Sequence, residues 1–181
     1  MFVKIVHFVT VMLYVLVAGV MWGTWLSLGR TMTRYDATTF LTDGQHMIDN
    51  LAAVMAVLMI GAVAAGVLST ALLFRRGATA AAWMALTGLV LMVAVLVVTL
   101  AVEVPIDNKI ADWTVSTLPS DWEDIRARWA GFHTLRTFLS LAAVAAAVWA
   151  ALATSDIHPP TSDPDDRSTT RDQEPSLRDG E

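Results

Sequence analysis

The chain has 181 residues, and its hydrophobic fraction of 55% is high for a soluble domain. It contains no cysteine, which excludes disulfides, thiolate metal ligands and a cysteine nucleophile. The net charge is −5, and the eight acidic residues and three arginines from Asp156 onward account for all of it. Because the rest of the chain is neutral, nucleic-acid binding has no electrostatic support.

Four hydrophobic blocks are each long enough to cross a ~30 Å hydrocarbon core. They cover residues 5–28, 48–74, 78–102 and 131–153. The first block is longer than the apolar region of a signal peptide, and it lacks a good cleavage site, so we interpret it as a retained span. The sequence therefore predicts an all-α integral membrane four-helix bundle over residues 1–154.

Two local features organise the predicted bundle. Only Arg75, Arg76 and Gly77 separate spans two and three, so these spans must form an antiparallel hairpin. Residues 155–181 are rich in Pro, Asp, Ser, Thr and Arg and offer little to bury. This composition predicts a disordered acidic tail that folding does not require.

Basic residues near the span ends predict the orientation of the chain. Lys4, Arg75 and Arg76 favour a cytoplasmic N-terminus and a cytoplasmic hairpin, which would also place the C-terminus in the cytoplasm. Basic residues in the two longer connections, such as Arg34 and Lys109, argue for the opposite orientation. We expect a multi-pass protein of the cell membrane with both termini cytoplasmic and both long connections, including a helix before span four, outside.

The connection between spans three and four contains signals for a turn and for a helix start. Pro105 is expected to end span three and turn the chain, because proline cannot continue the helical hydrogen bonds. Asp107 and Asn108 could then bond to the turn backbone. Ser120 and Glu123 fit a capping box, which predicts a helix that continues into span four.

One face of this last helix carries an unusual set of side chains. The spacings between its members are 4, 3, 4 and 3 residues, which places them on one stripe of a continuous helix. The members are Trp122, Arg126, Trp129, His133 and Arg136. An arginine inside a span costs several kcal/mol unless it is paired or hydrated. The stripe is therefore the first place to look for function.

Acidic residues at similar depth could neutralise this arginine. Glu103 closes span three and Asp49 opens span two, so Arg136 is expected to pair with one of them. Two interpretations remain open at this point. The polar cluster either locks the helices together or lines a substrate pocket between them.

A metal site is a further possibility that the sequence leaves undetermined. Glu103, Asp107 and His133, with His46 or Asp49, would make a mixed nitrogen and oxygen ligand set. No His-x-x-x-His or Glu-x-x-His pair supports such a site. The sequence indicates no flavin, haem or nicotinamide site, so the cofactor stays unknown, and the absence of any cofactor is one of the possibilities. It does not determine an oligomeric state.

The order of motifs in the last third of the chain resembles the anthrone-oxygenase-like family. The resemblance lies in Glu103-Val-Pro-Ile-Asp107-Asn108, then Trp113 and Trp122, then Arg126-x-Arg128-Trp129-x-x-Phe132-His133-x-x-Arg136. It is best over residues 101–145. The family comprises small four-helix membrane proteins, most of them without an assigned function in bacteria. Its members usually have asparagines around Val-Pro-Ile, where this chain has Glu103 and Asp107.

The resemblance implies an oxygenase that acts on a lipophilic aromatic molecule, such as an anthrone or a quinol, at the outer ends of spans two to four. A deprotonated anthrone can react with oxygen, so His133 would be the base and Arg136 would stabilise the anion. The expected substrate contacts are Trp129, Arg126, Glu103, Asp107 and Asn108. The alternative is a non-catalytic membrane protein that binds a lipophilic ligand or a partner protein. A transporter is less favoured, because no pair of broken helices is apparent.

Overall fold

The computed structural model describes residues 1–29 and 31–154, which form helices and no strand. The predicted tail, residues 155–181, lies outside this part. The α-helices are α1 (Phe2–Thr24), α2 (Ala37–Arg75), α3 (Thr79–Val98), α4 (Val104–Asp112) and α5 (Trp122–Ala153). Two π-helical segments, Trp25–Gly29 and Thr99–Glu103, follow α1 and α3, and a short 3₁₀ helix spans Met32–Arg34.

The long helices pack as an antiparallel bundle in the order α1, α2, α3 and α5, with α5 closing back onto α1. The described chain contains four helical stretches that are long and apolar enough to cross a membrane. The predicted all-α, four-span architecture is confirmed, and the chain is a multi-pass membrane protein. Residues 1 and 154 lie at the same end of the bundle. The side of the membrane that this end faces stays a prediction.

We call the end that holds the N-terminus and the α2–α3 hairpin the basic end, and the opposite end the cap end. The hairpin is as tight as predicted, since α2 ends at Arg75 and α3 begins at Thr79. Gly77 has a φ of +71°, a left-handed conformation that side chains with a Cβ adopt at a cost. This glycine lets the chain reverse within three residues.

The helices extend beyond the predicted blocks at the cap end. With 39 residues, α2 is about 58 Å long at 1.5 Å per residue, and it begins at Ala37 rather than near residue 48. Asp36 caps it by accepting a hydrogen bond from the Thr39 backbone N–H at 2.8 Å, which lowers the pKa of the Asp36 carboxyl. The hydropathy pattern missed this first part of α2, because polar residues interrupt it.

The start of α5 differs in detail from its prediction. The helix runs without a break from Trp122 into span four, as expected. The predicted capping box is absent, since the N-cap residue is Asp121 and it makes no side-chain cap hydrogen bond. In place of a side chain, a backbone carbonyl of the preceding turn bonds to the first helical N–H: the Trp122 N–H donates to the Pro119 carbonyl.

Pro105 does not turn the chain, so the predicted end of span three is wrong. The segment Thr99–Glu103 widens into a π-helix, and the Val104 N–H bonds to the Thr99 carbonyl five residues earlier. This shift lets α4 begin as a new helix with Pro105 in its first turn, where no proline N–H is needed. The chain therefore continues as helix to Asp112. Because the turn does not form, Asp107 and Asn108 lie on α4.

A small apolar cluster forms a cap above the spans. It packs the start of α2 against α4 and α5 around Phe40, Ile106, Ile110 and Trp129. The Gln45 side-chain amide donates to the carbonyls of Ile110 and Trp113 at 2.9 and 2.8 Å. These bonds hold the end of α4 and the residue after it against α2.

Close packing of α1 on α2 gives a first prediction. We expect Gly66→Ala to lower the free energy of unfolding in detergent by about 1–3 kcal/mol. A Cβ at Gly66 would collide with the hydroxyl of Tyr14 and lie 3.1 Å from Leu89 Cδ1. Tyr14 is only 1% exposed, so it has little room to move.

Gly19 provides the matched control for this substitution. It lies inside α1, and a Cβ added there would have nothing within 4 Å. Gly19→Ala should leave stability unchanged or raise it slightly, because alanine is the better helix former. Thermal unfolding of both variants checks the result, and a Gly66→Ala protein as stable as the wild type would contradict this helix contact.

Candidate functional site

A buried ion pair joins α5 to the π-helical segment after α3. Arg136 Nη2 lies 3.0 Å from Glu103 Oε2, with Glu103 fully buried and Arg136 largely so. This confirms the predicted pairing with Glu103; Asp49, the other predicted partner, is exposed on α2. The contact lacks hydrogen-bond geometry, and neither Glu103 oxygen has a hydrogen bond within the described part of the chain. Charge attraction therefore holds the pair.

Arg136 also determines the state of the neighbouring histidine. His133 Nδ1 lies 3.3 Å from Arg136 Nε and 3.0 Å from Arg136 Nη2. A guanidinium can only donate, so the proton of a neutral His133 ring must be on Nε2. Nε2 is buried and lies close to the Met21 backbone, without full hydrogen-bond geometry to any described residue. The His133 N–H is therefore held inside the bundle, next to the wall that Met21 forms.

Trp129 and Asp107 extend the cluster toward the cap. The rings of Trp129 and His133 are parallel within 4°, with centroids 5.0 Å apart. The Trp129 Nε1–H donates to Asp107 Oδ1 at 3.0 Å. Asp107 follows Glu103 by four residues, so one face of the π–α4 segment presents both carboxylates to α5. Arg136 interacts electrostatically with each of them.

A cavity of about 260 Å³ adjoins this cluster. Asp107, Trp129, His133 and Arg136 provide most of its polar lining, and apolar residues form the remaining wall. Residues of all four spans line it. The sequence predicted a pocket between spans two to four. The first span also contributes, through Val20, Met21 and Thr24 of α1.

The cavity opens sideways toward the outer surface of the bundle. Several of its lining residues are exposed there: Ala52, Ala56 and Ile60 on α2, and Leu100 and Val104 near the π-helical segment. In a membrane this surface faces lipid, so a lipophilic molecule could enter without crossing the cap.

Three of the predicted substrate contacts lie outside the cavity lining, and one of them, Glu103, is buried in the ion pair described above. Arg126 is buried in the cap, where it donates to the Tyr35 carbonyl at 2.9 Å and stacks 4.6 Å from the centre of the Trp122 ring. Asn108 is exposed on α4. The spacing on α5 correctly indicated one inward stripe, but the stripe divides between the cap and the cavity.

The possible metal set is not brought together. His46 and Asp49 are exposed on α2, away from the buried cluster. In residues 1–29 and 31–154, no group of three or more His, Asp or Glu side chains has the arrangement of a metal site. Glu103, Asp107 and His133 are instead held by Arg136 and Trp129.

Some site residues escaped the sequence analysis. Thr99 accepts a hydrogen bond from Arg136 Nη1 at 3.3 Å, and Met21 and Met55 line the cavity. Thr99 begins the π-helical segment, which ends two residues before Pro105. The available signal was a proline inside an otherwise continuous apolar helix, because it indicates an irregular helical turn nearby. Irregular turns of the π-helical type are frequent at functional sites.

One of three comparisons with known proteins identifies the family of this chain. No curated protein and no solved structure matches the chain. The model of the family described as anthrone oxygenase matches residues 45–146, which is more than half of the chain and includes the π-helical segment and the inward stripe of α5. The chain therefore belongs to the anthrone oxygenase family.

Proposed function

We propose that this protein is a membrane oxygenase acting on a flat, lipophilic aromatic substrate of the anthrone or quinol type. One observation carries the proposal. The His133 ring, a carboxylate of Asp107 and the Arg136 guanidinium line one apolar cavity that opens toward lipid. Family membership supports the same chemistry.

The cavity suits a small planar molecule. Its volume of about 260 Å³ is close to the lower end of the ~300–1,000 Å³ that small-molecule pockets usually have. The parallel rings of Trp129 and His133 line it, while Met55 and Leu96 belong to its apolar wall. A polar group on the substrate would be drawn to the end of the cavity that holds Arg136.

The proposed reaction converts the methylene carbon of an anthrone into a carbonyl. Two C–H bonds and the O–O bond break, one oxygen atom forms the new C=O bond, and the other leaves as water. The substrate supplies the four electrons that reduce dioxygen, so the overall reaction balances without an added reductant. The protein must remove a proton from the methylene carbon and stabilise the negative oxygen that results.

The geometry favours a division of these tasks that differs from the one expected from sequence. While Arg136 donates to His133 Nδ1, that nitrogen cannot accept a proton from the substrate. We assign proton removal to Asp107, which keeps one oxygen free of hydrogen bonds to described residues. The charge of Arg136 then stabilises the substrate oxygen, and His133 holds the guanidinium in place by accepting from it at Nδ1. The base role expected for His133 stays the competing hypothesis.

A blocked cavity tests whether the substrate binds here. We expect the purified wild type to bind an anthrone or anthraquinone, and Ala56→Trp to weaken binding at least about tenfold, or ~1.4 kcal/mol. Ala56 lines the opening, so an indole would occupy the entrance. Ala53→Trp is the matched control, because Ala53 is exposed on the same helix outside the lining. Fluorescence titration in detergent measures both affinities.

The outcomes separate the proposed function from its alternative. Binding with conversion of anthrone to anthraquinone, accompanied by oxygen uptake above a detergent blank, supports the oxygenase. Binding without conversion favours a non-catalytic protein that holds a lipophilic ligand. Equal weakening by both tryptophan variants would show that this cavity is not the binding site.

A further inference from the structure

A second cavity, of about 530 Å³, lies at the basic end of the bundle, far from the site described above. We call it the basal cavity. It lies between α1 and α5, and Leu73, Arg76 and Ala78 of the α2–α3 hairpin contribute to its lining. Its outer wall is apolar and exposed at Phe8 and Leu152, so in a membrane it opens toward lipid.

Two positive charges at this cavity have no acidic partner. Lys4 and Arg76 both line it, both are exposed, and neither forms an ion pair with a described residue. The described acids all belong to the cap half. On α2 the nearest acid to Arg75 is Asp49, 26 residues or about 39 Å away. The N-terminus of α3 lacks a side-chain cap at Ala78 and adds partial positive charge.

His7 also touches the cavity but has no free nitrogen. Its Nε2 lies 3.0 Å from the Ala147 carbonyl, which only accepts, so Nε2 carries the proton. Its Nδ1 then accepts from the Ser69 hydroxyl at 2.7 Å. The charge available to a ligand is therefore that of Lys4 and Arg76.

We propose that the basal cavity binds one anionic phospholipid, with its phosphate against Lys4 and Arg76 and one acyl chain along Phe8, Val11 and Val148. The cavity combines cationic side chains with an apolar wall at the level where spans begin, which matches a charged headgroup joined to hydrocarbon. Basic residues at a membrane surface attract anionic lipids, and long side chains reach the headgroup layer. This site is independent of the proposed oxygenase function.

The acidic tail is the competing occupant, and its composition fits less well. Thr154 lines the cavity and the first tail acid, Asp156, follows two residues later. The carboxylates of the tail could form ion pairs with Lys4 and Arg76. Apart from prolines, however, only Ile157 and Leu177 are apolar in residues 155–181, which leaves little to cover the exposed wall.

Lipid retention by the full-length chain tests the proposal. Wild type in detergent would receive phosphatidylglycerol or phosphatidylcholine with identical acyl chains, and native mass spectrometry and thermal unfolding would report binding. We expect one phosphatidylglycerol per chain and a higher melting temperature with this lipid. The double variant Lys4→Gln, Arg76→Gln should weaken its binding by about 30-fold. Arg75→Gln is the matched control, because Arg75 is exposed beside Arg76 but does not line the cavity.

Each result has a defined meaning. Loss of the preference for phosphatidylglycerol in the double variant, and its retention in Arg75→Gln, supports the site. An equal loss in Arg75→Gln would show a diffuse surface charge effect and overturn it. Stabilisation by inorganic phosphate alone would overturn the lipid assignment. If the wild type does not bind phosphatidylglycerol and the Asp156→Asn variant does, the tail occupies the cavity in the wild type and the lipid assignment is overturned.

Discussion

Arg136→Ala is expected to lower the free energy of unfolding by about 3–5 kcal/mol, the cost of removing one partner from a buried ion pair. Glu103 would remain fully buried with neither a charge partner nor a hydrogen bond from a described residue. The His133 ring and Thr99 would lose a donor as well. Chemical or thermal unfolding in detergent measures this loss.

Two further variants test whether the pair itself causes the effect. Glu103→Gln removes the carboxylate charge, so it should restore part of the stability when combined with Arg136→Ala. A double-mutant cycle in which the two effects simply add would contradict direct coupling. Arg128→Ala is the matched control, because Arg128 is exposed on the same helix and contacts only the Phe132 ring among the described residues, so its loss should change stability by about 1 kcal/mol at most.

Asp107→Asn is expected to lower turnover of an anthrone by ~10²–10⁴-fold, the usual contribution of a positioned general base. The substitution keeps an oxygen that can accept from Trp129 Nε1, so folding and substrate affinity should change little. His133→Gln should reduce turnover less, because its amide oxygen can still accept from Arg136. Steady-state kinetics with dioxygen in excess, together with ligand titration, separates turnover from binding.

The same variants can refute this assignment. If His133→Gln abolishes turnover and Asp107→Asn leaves it intact, His133 is the base and the proposed division of roles fails. His7→Gln is the control, because His7 is also buried but lies toward the basic end, bonded to Ser69 and Ala147. It should lower stability and leave the activity of the folded protein unchanged.

The sequence determined those features that depend on one segment or on an unavoidable energetic cost. Long apolar blocks can satisfy their backbone in lipid only as helices, which predicted the four spans. Two arginines and a glycine between such blocks leave room only for a tight hairpin. The cost of an unpaired Arg136 predicted an acidic partner, and Glu103 is that partner.

The tertiary structure decided features that arise only when several helices meet. Whether Pro105 ends a helix depends on the neighbouring backbone. A π-helical turn packed against α5 precedes it, so the chain continues as helix although proline has no N–H to donate. The periodicity of α5 places Arg126 and His133 on the same face of the helix. It could not show that Arg126 packs in the cap whereas His133 lines the cavity. The state of His133 follows from the position of one guanidinium relative to Nδ1. Spacing along a chain specifies which side chains share a face, whereas packing of all four spans determines what each side chain meets.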